Sequence, residues 1–306
     1  MKVTVLRGGP SAEREVSLVS GAAVAAGLRE AGHDVFESDV SPTDLAGLDA
    51  AADVIFPVLH GAFGESGELQ EILEARGLPF VGSGSKSSKV GIDKVATKKV
   101  WEAAGLPTPP YAVLRKGDPV PAMADGPCVV KAVGSGSSID VFICKDPKTA
   151  AADARAAIAK VFASHEVCLV EKFVTGPELT VGLLEEKALA PIRIVPASGV
   201  FDFEAKYKRN DTEHRFDTGL PPETIKQCQD LCERANAVLG CMDLARIDVM
   251  LDEGAGLTPY LLEINTLPGF TPKSLLPEAA AHGGVPFPKL VDRLARRAAE
   301  RGPRKA

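Results

Sequence analysis

The sequence predicts an α/β protein, with a mostly parallel, doubly wound sheet at its N-terminal end and two further units of mixed helix and strand behind it. Three observations carry this. Strand-like and helix-like stretches alternate from Lys2 to Val81, the rhythm of βαβ units and a parallel sheet. Asp53–Leu59 is a near-continuous apolar run, as expected of a strand covered on both faces. Two composition breaks, Gly82-Ser83-Gly84-Ser85-Lys86-Ser87-Ser88 and Thr175-Gly176-Pro177, punctuate the chain. They set expected units of residues 1–90, 91–174 and 175–306.

The elements follow in order. Lys2–Leu6 reads as a short strand that enters the turn Gly8-Gly9-Pro10-Ser11. Glu15–Arg29 has helical periodicity and stops at Gly32. Gly61–Gly67 reads as a loop, Glu68–Ala75 as a helix ended by Gly77, and Leu78–Val81 as a strand. The glycine- and serine-rich run at 82–88 reads as a flexible connection. A helix over Asp93–Ala104 precedes the proline-rich Pro107-Thr108-Pro109-Pro110. Predicted strands Cys128–Val133 and Val141–Cys144 flank Gly134-Ser135-Gly136-Ser137-Ser138, and an alanine-rich helix, Lys148–Phe162, leads to a strand at Val167–Val174. Beyond it the chain is strand-rich up to a helix at Glu223–Leu239, which Gly240 closes in the usual C-terminal position. Strands over Ala245–Leu251 and Leu257–Leu262 and a last helix, Phe287–Arg301, complete the chain. The basic tail (Arg301, Arg304, Lys305) reads as a solvated end. No internal repeat is visible.

At 306 residues, 45% hydrophobic and 25% charged, the chain has an ordinary globular composition with room for several cores. A net charge of −6 argues against a polyanion-binding surface, so no nucleic-acid partner is expected. No apolar run approaches the roughly 20 residues that span a bilayer, and the N-terminal apolar stretch is too short for a signal peptide. A cytoplasmic protein without a membrane partner is expected. Cys128, Cys144, Cys168, Cys228, Cys232 and Cys241 show no disulfide framework and no CxxC pair. Cys228 and Cys232 fall on one apolar helical stripe with Ile225, Ala235 and Leu239, which favours packing over metal binding.

The chemistry concentrates in two apolar runs near the C-terminus. Ala245-Arg246-Ile247-Asp248-Val249 places Arg246 and Asp248 on one strand face, and Glu263-Ile264-Asn265 does the same for Glu263 and Asn265 at the end of the next strand. Two carboxylates and an amide oxygen suit Mg²⁺, a hard cation that takes oxygen ligands and carries phosphate as a further one. An arginine beside them can stabilise developing negative charge. There is no Gly-x-x-x-x-Gly-Lys-Ser/Thr run. Gly134-x-Gly136 lacks the third glycine of a dinucleotide site and joins two apparent strands, so it is better suited to lie over phosphates through backbone N–H groups and hydroxyls. Lys131, inside an apolar run, needs an anion, and Lys94 at a helix start is a second phosphate partner. Together these residues describe a nucleotide triphosphate held between two domains.

His60-Gly61-x-x-Gly64-Glu65, Glu13-Arg14-Glu15-Val16-Ser17-Leu18, Glu204-Ala205-Lys206-Tyr207, Arg246-Ile247-Asp248 and Glu263-x-Asn265-Thr266-x-Pro268-Gly269 resemble, in order and spacing, the D-alanine–D-alanine ligases of the ATP-grasp superfamily. The resemblance covers nearly the whole chain. It implies three domains: an N-terminal α/β domain, a central α+β lid and a C-terminal α+β domain with an antiparallel sheet. It also implies ATP-dependent joining of two D-alanines through an acyl phosphate for cell-wall synthesis. By the same resemblance Glu15 partners the first substrate's ammonium, oriented by Ser137 and Tyr207, and Arg246 with the Gly269 N–H forms an oxyanion site. His60, Lys206, Ser274 and Leu275 belong to the substrate site. Lys94, Lys131, Ser137, Glu171, Lys172, Val174 and Glu178 hold ATP. Asp248, Glu263 and Asn265 hold Mg²⁺, with Mn²⁺ as a substitute and two ions in the site, and the protein is a homodimer. Several positions depart from the family pattern: Ser66, Ala132, Gly134, Ser135, Asp140 and Asp217-Thr218. Those in the glycine-rich loop motivate an alternative, a catalytically weak ATP-binding homologue. A ligase taking another second amino acid, such as D-serine, is the nearer one.

Overall fold

The computed structural model describes residues 1–134, 136, 140–196 and 212–304. Three sheets follow one another along the chain. The first is parallel: β1 (Lys2–Arg7) lies between β2 (Asp34–Asp39) and β3 (Val54–Pro57), with Val3 opposite both Val35 and Val54. Central β1 buries Val3, Val5 and Leu6. The sequence reading passed over β2 because Asp34-Val35-Phe36-Glu37-Ser38-Asp39 carries few apolar residues; as an edge strand it needs only one covered face. Helix α1 (Arg14–Glu30) joins β1 to β2. Its Ser17 hydroxyl accepts from the Gly8 N–H at 2.8 Å and donates to the Val58 carbonyl at 2.6 Å, tying the helix start to the C-terminal ends of two strands.

Two expectations for this region are corrected. Leu78–Val81 is not a strand but a single parallel bridge, Ile55↔Phe80. Pro79 has no N–H to give to a ladder, and Gly82 turns the chain at φ 102°. The run expected to be a flexible connection is ordered, and it forms helix α4 (Ser85–Ile92) after the short α2 (Ala62–Glu65) and α3 (Glu68–Ala75). Its serines act as joints. Ser85 donates to Glu74 at 2.5 Å, Ser87 donates to the Gly240 carbonyl at 2.9 Å, and Ser83 accepts from the Met242 N–H at 3.2 Å.

The second sheet is antiparallel, in the order β4 (Tyr111–Arg115), β7 (Val167–Lys172), β5 (Cys128–Ala132), β6 (Val141–Cys144). Helix α6 (Ala150–Ser164) packs its small Ala150, Ala154 and Ala157 against Cys128, Val130, Cys144 and Cys168. The third sheet runs β11 (Thr212–Arg215), β10 (Ile192–Pro196), β8 (Glu178–Leu184), β12 (Leu244–Asp252), β13 (Thr258–Asn265), with β9 (Lys187–Ala188) pairing β8. Helix α7 (Pro222–Leu239) lays Cys228, Leu231, Cys232 and Ala235 on it and ends at Gly240 with φ 67°. Helix α5 (Lys94–Ala103) joins the same core: Trp101 is fully buried there, and its indole N–H donates to the Ala235 carbonyl at 3.3 Å. All six cysteines are free and buried.

The last helices, α8 (Leu275–His282) and α9 (Phe287–Arg301), close the chain. Leu290, Val291, Leu294 and Ala298 of α9 pack in one cluster with Val24 and Leu28 of α1 and Phe56 of β3. Arg301 and Arg304 of the basic tail are not a solvated end, and Lys305 lies outside the described residues. Arg301 donates to Asp243 at 2.9 Å and to the Phe80 carbonyl at 2.8 Å, Arg297 reaches Asp243 at 3.2 Å, and Arg304 lies 4.1 Å from the Phe80 ring centroid and bonds the Gly82 carbonyl. Asp243 also accepts from the Gly82 N–H at 2.9 Å and is 0% exposed. This clasp holds the exit of the parallel sheet to the start of β12. Among the described residues no helix is long and apolar enough to cross a membrane.

Candidate active site

The site is built on β12 and β13. Their register sets Arg246 opposite Asn265 and Asp248 opposite Glu263, with a bulge after Asp248. Four polar side chains therefore share one face where two strands meet. An acid inside an apolar run has to be paired, and both are. Arg246 grips Asp248 through both carboxylate oxygens, at 3.1 and 3.2 Å, and the Thr180 hydroxyl from β8 donates to it at 2.6 Å. Glu263 lies 3.5 Å from the Lys94 ammonium at the first position of α5, a helix capped by Asp93, which accepts from the Ala96 N–H at 2.8 Å. Asn265 accepts from the Leu267 N–H at 3.0 Å, which orients the amide.

Two cavities meet here, and Glu263 lines both. The larger, about 310 Å³, lies between the parallel sheet's loops and the third sheet. Lys94, Arg246, Asn265 and Gly269 line it, as do Ser274 and Leu275 at the N-terminus of α8. Ser274 accepts from the Thr271 N–H at 2.9 Å, fixing the turn into the helix start, where the Leu275 and Leu276 N–H groups have no acceptor within the helix. His60 faces the same cavity. Its Nδ1 lies 3.4 Å from Glu65, which accepts from the Gly61 N–H at 3.2 Å, while its buried Nε2 has no hydrogen-bond partner among the described residues. The loop needs glycine at 64, where a Cβ would stand 2.4 Å from the Leu59 carbonyl oxygen.

Glu15 is corrected. It is exposed in the first turn of α1 and does not line the cavity, whereas Glu13, 9% exposed, does. The signal was present in the sequence: Glu13, Ser17, Ser20 and Val24 share a helical stripe, and Glu15 lies off it. Sequence reasoning also missed His214 and Lys273. His214 lines the cavity from β11 and bonds Glu278 of α8 at 2.8 Å. Ser137, Lys206 and Tyr207 lie outside the described residues.

The smaller cavity, about 110 Å³, lies between the second and third sheets. Its walls are apolar, with Val129, Ile143, Met250 and Leu262, and its polar groups are Lys131, Glu171, Glu178, Asp248 and Glu263; Lys172 and Val174 lie along it. Glu171 is 1% exposed, with Lys131 on one carboxylate oxygen and Lys98 on the other, at 2.5 Å. Burial opposes its ionisation, but Lys131 and Lys98 hold its carboxyl below the ordinary range. Burial pushes Lys98 down; burial also opposes the charge on Lys131, but Glu171 and Glu263 hold it above the ordinary lysine range. A slot with apolar walls, ending at cations and two carboxylates, suits a flat base joined to a phosphate chain. Next to the glycine-rich loop, Asp140 adopts φ 56°, a left-handed backbone that glycine takes at less cost, and its carboxylate bonds His165 at 3.0 Å rather than facing the slot.

Asp248, Glu263 and Asn265 fit Mg²⁺. Among the described residues no three His, Cys, Asp or Glu side chains gather as a metal-binding group. Two carboxylates and an amide suit an ion that keeps waters and phosphate oxygens rather than sitting in an all-protein cage.

Residues 38–83 match the family model described as D-ala D-ala ligase N-terminus, and residues 100–296 match the D-ala D-ala ligase C-terminus. A D-alanine–D-alanine ligase of Gluconobacter oxydans is 44% identical, covering 98% of this chain and 100% of that relative. One from Geobacter sulfurreducens is 41% identical, over 96% and 92%. The crystal structure of the Bacillus anthracis D-alanine–D-alanine ligase superposes with a TM-score of 0.86 at 31% identity, covering 98% of both chains, and its complex with ATP with 0.83 at 28% over the same shares. With its three sheets, its paired cavities and these relatives, the chain belongs to the D-alanine–D-alanine ligase family.

Proposed function

We propose that the protein joins two D-alanines to D-alanyl-D-alanine with conversion of ATP to ADP and phosphate, supplying the cell-wall peptide. The observation that carries this reading is the junction of the two cavities at Glu263. A nucleotide in the apolar slot would bring its terminal phosphate to the point where the larger cavity, rimmed by Glu13, His60, Arg246 and the start of α8, presents a carboxylate. The carboxylate of a first D-alanine seated there attacks the γ-phosphorus, and the bond from that phosphorus to the bridging oxygen breaks to release ADP. The second D-alanine, its ammonium deprotonated, then attacks the acyl carbon through nitrogen; the C–O bond to the phosphoryl group breaks, phosphate leaves with the electron pair, and the nitrogen's surplus proton passes to phosphate or water. Phosphorylation supplies the leaving group that a free carboxylate lacks, so the protein's work is positioning and charge stabilisation.

In this reading Glu13 takes the role expected of Glu15, as partner of the first ammonium. Arg246 and the Gly269 N–H hold the oxyanion, and Ser274 with the α8 N-terminus receives the second carboxylate, joined by Lys206. Lys94 and Lys131 bind phosphates, and Lys172, Val174 and Glu178 line the base and ribose. Asp248, Glu263 and Asn265 would hold Mg²⁺, which when bound neutralises phosphate charge. A homodimer and a cytoplasmic location belong to the same reading, supported by the family resemblance and, for the location, by six unpaired cysteines. The test is phosphate release across a panel of D- and L-amino acids. Release with D-alanine and accumulation of its dipeptide are expected. Equal release with L-alanine, or AMP in place of ADP, would contradict the reading.

A further inference from the structure

We propose that Lys98 is a positioning residue of the nucleotide site: by holding Glu171 it frees Lys131 to exchange its carboxylate partner for a phosphate. This rests on the reading of the slot as an ATP site. Lys98 is 0% exposed and lines neither cavity, so it does not itself touch a nucleotide there. Its ammonium lies 2.5 Å from one oxygen of Glu171, and Lys131 takes the other oxygen at the edge of the slot. Lys98 also donates to the Thr108 hydroxyl, which donates to the Leu261 carbonyl at 2.9 Å, two residues before Glu263. The Tyr111 ring centroid is 5.5 Å from the same ammonium.

The charges give the reason for a second lysine. If Glu171 faced Lys131 alone, moving Lys131 to a phosphate would strand a buried carboxylate without a counter-charge, which opposes the move. With Lys98 in place the group carries two positive charges and one negative, and Glu171 stays paired when Lys131 turns away. Helix α5 sets this up through its period. Lys94 and Lys98 are one turn apart, so one helix face sends an ammonium to Glu263 of the third sheet and another to Glu171 of the second. Lys131 is also a point charge on a flexible stem, suited to changing partners.

The test measures dissociation constants for a non-hydrolysable ATP analogue with Mg²⁺, without D-alanine, in the unaltered protein, Lys98→Met, Glu171→Gln and the double variant, with the Tm of each. Lys98→Met should weaken nucleotide binding by about 10- to 100-fold. In the Glu171→Gln background the same change should alter affinity by less than about twofold, and raise Tm, because it removes an unpaired buried ammonium. An equal loss in both backgrounds would mean that Lys98 only fills space and would overturn the proposal, as would unchanged affinity in Lys98→Met. If Lys98→Met does not fold, Lys98→Gln takes its place in both backgrounds: a loss with Glu171 present and none with Glu171→Gln supports the proposal, and an equal effect in the two overturns it. No binding by the unaltered protein would remove the ATP reading itself.

Discussion

Asp243 and Glu171 are both enclosed carboxylates, 0% and 1% exposed, each held by more than one cation, yet the two regions are built differently. Around Asp243 the partners are Arg297, Arg301 and Arg304, all from the C-terminal helix and tail, together with the Gly82 N–H. Guanidinium forks bind in fixed geometry and stay charged, and this cluster lines neither cavity. Around Glu171 the partners are two lysines, one sealed in and one at the edge of a slot. The first arrangement fastens the chain; the second leaves a cation available. The same elementary need, a counter-charge for a buried acid, is met by arginine where the contact is permanent and by lysine where it has to change.

The largest effect expected of any single change is on the fastened side. Asp243→Ala would take away the shared, fully buried acceptor of half-buried Arg297, Arg301 and Arg304 and of the Gly82 N–H, leaving the arginines only their outer partners, and chemical denaturation should show a loss of about 2–4 kcal/mol. A loss below about 1 kcal/mol would mean that the clasp is not a structural joint. On the exchangeable side, Glu263→Gln should lower turnover by about 100-fold or more while D-alanine binding changes little, because it removes charge from the point where the two cavities meet. Near-normal turnover in limiting Mg²⁺ would remove Glu263 from that role. The contrast sharpens at the start of α1. Glu13→Gln should raise the KM for D-alanine by about tenfold, and Glu15→Gln by less than about twofold; the reverse order would return the role to Glu15.

The smallest effect lies at the margin of the clasp. The hydrogen bond from Arg293, against partial burial, holds the Glu185 carboxyl below its ordinary range. A depressed folded-state pKa gives stability that is present above the unfolded value and lost as pH falls through the folded one. Glu185→Gln should therefore cost stability at neutral pH, by less than about 1 kcal/mol because the pair is partly exposed, and the two proteins should converge in acid. A gap that persists at pH 2 would assign the effect to packing.

Much of this was legible in the sequence because periodicity reports faces. Alternation along β12 and β13 placed Arg246 beside Asp248 and Glu263 beside Asn265, and the helical stripe of α7 read Cys228 and Cys232 as core, as found. The register that joins the two strand pairs was not legible, since it depends on pairing between segments. Glu13 was readable from its stripe but was passed over for its neighbour. The serines of α4 read as a flexible connection and the arginines of the tail as a solvated end because composition alone says nothing of partners more than a hundred residues away, such as Gly240 for Ser87 and Phe80 for Arg301. Lys98 sits on the buried face of α5, in register with Lys94 and Trp101; a lysine on such a face is the visible sign of a hidden acid, but the sequence does not say which one.

The most direct test of the account follows oxygen. D-alanine labelled with ¹⁸O in both carboxylate positions is incubated with ATP, Mg²⁺ and the protein, and the released phosphate is analysed by mass. Attack of the substrate carboxylate on the γ-phosphorus, followed by displacement at the acyl carbon, requires that each phosphate carry one ¹⁸O atom. Unlabelled phosphate released together with the dipeptide would contradict an acyl-phosphate route through the junction of the two cavities.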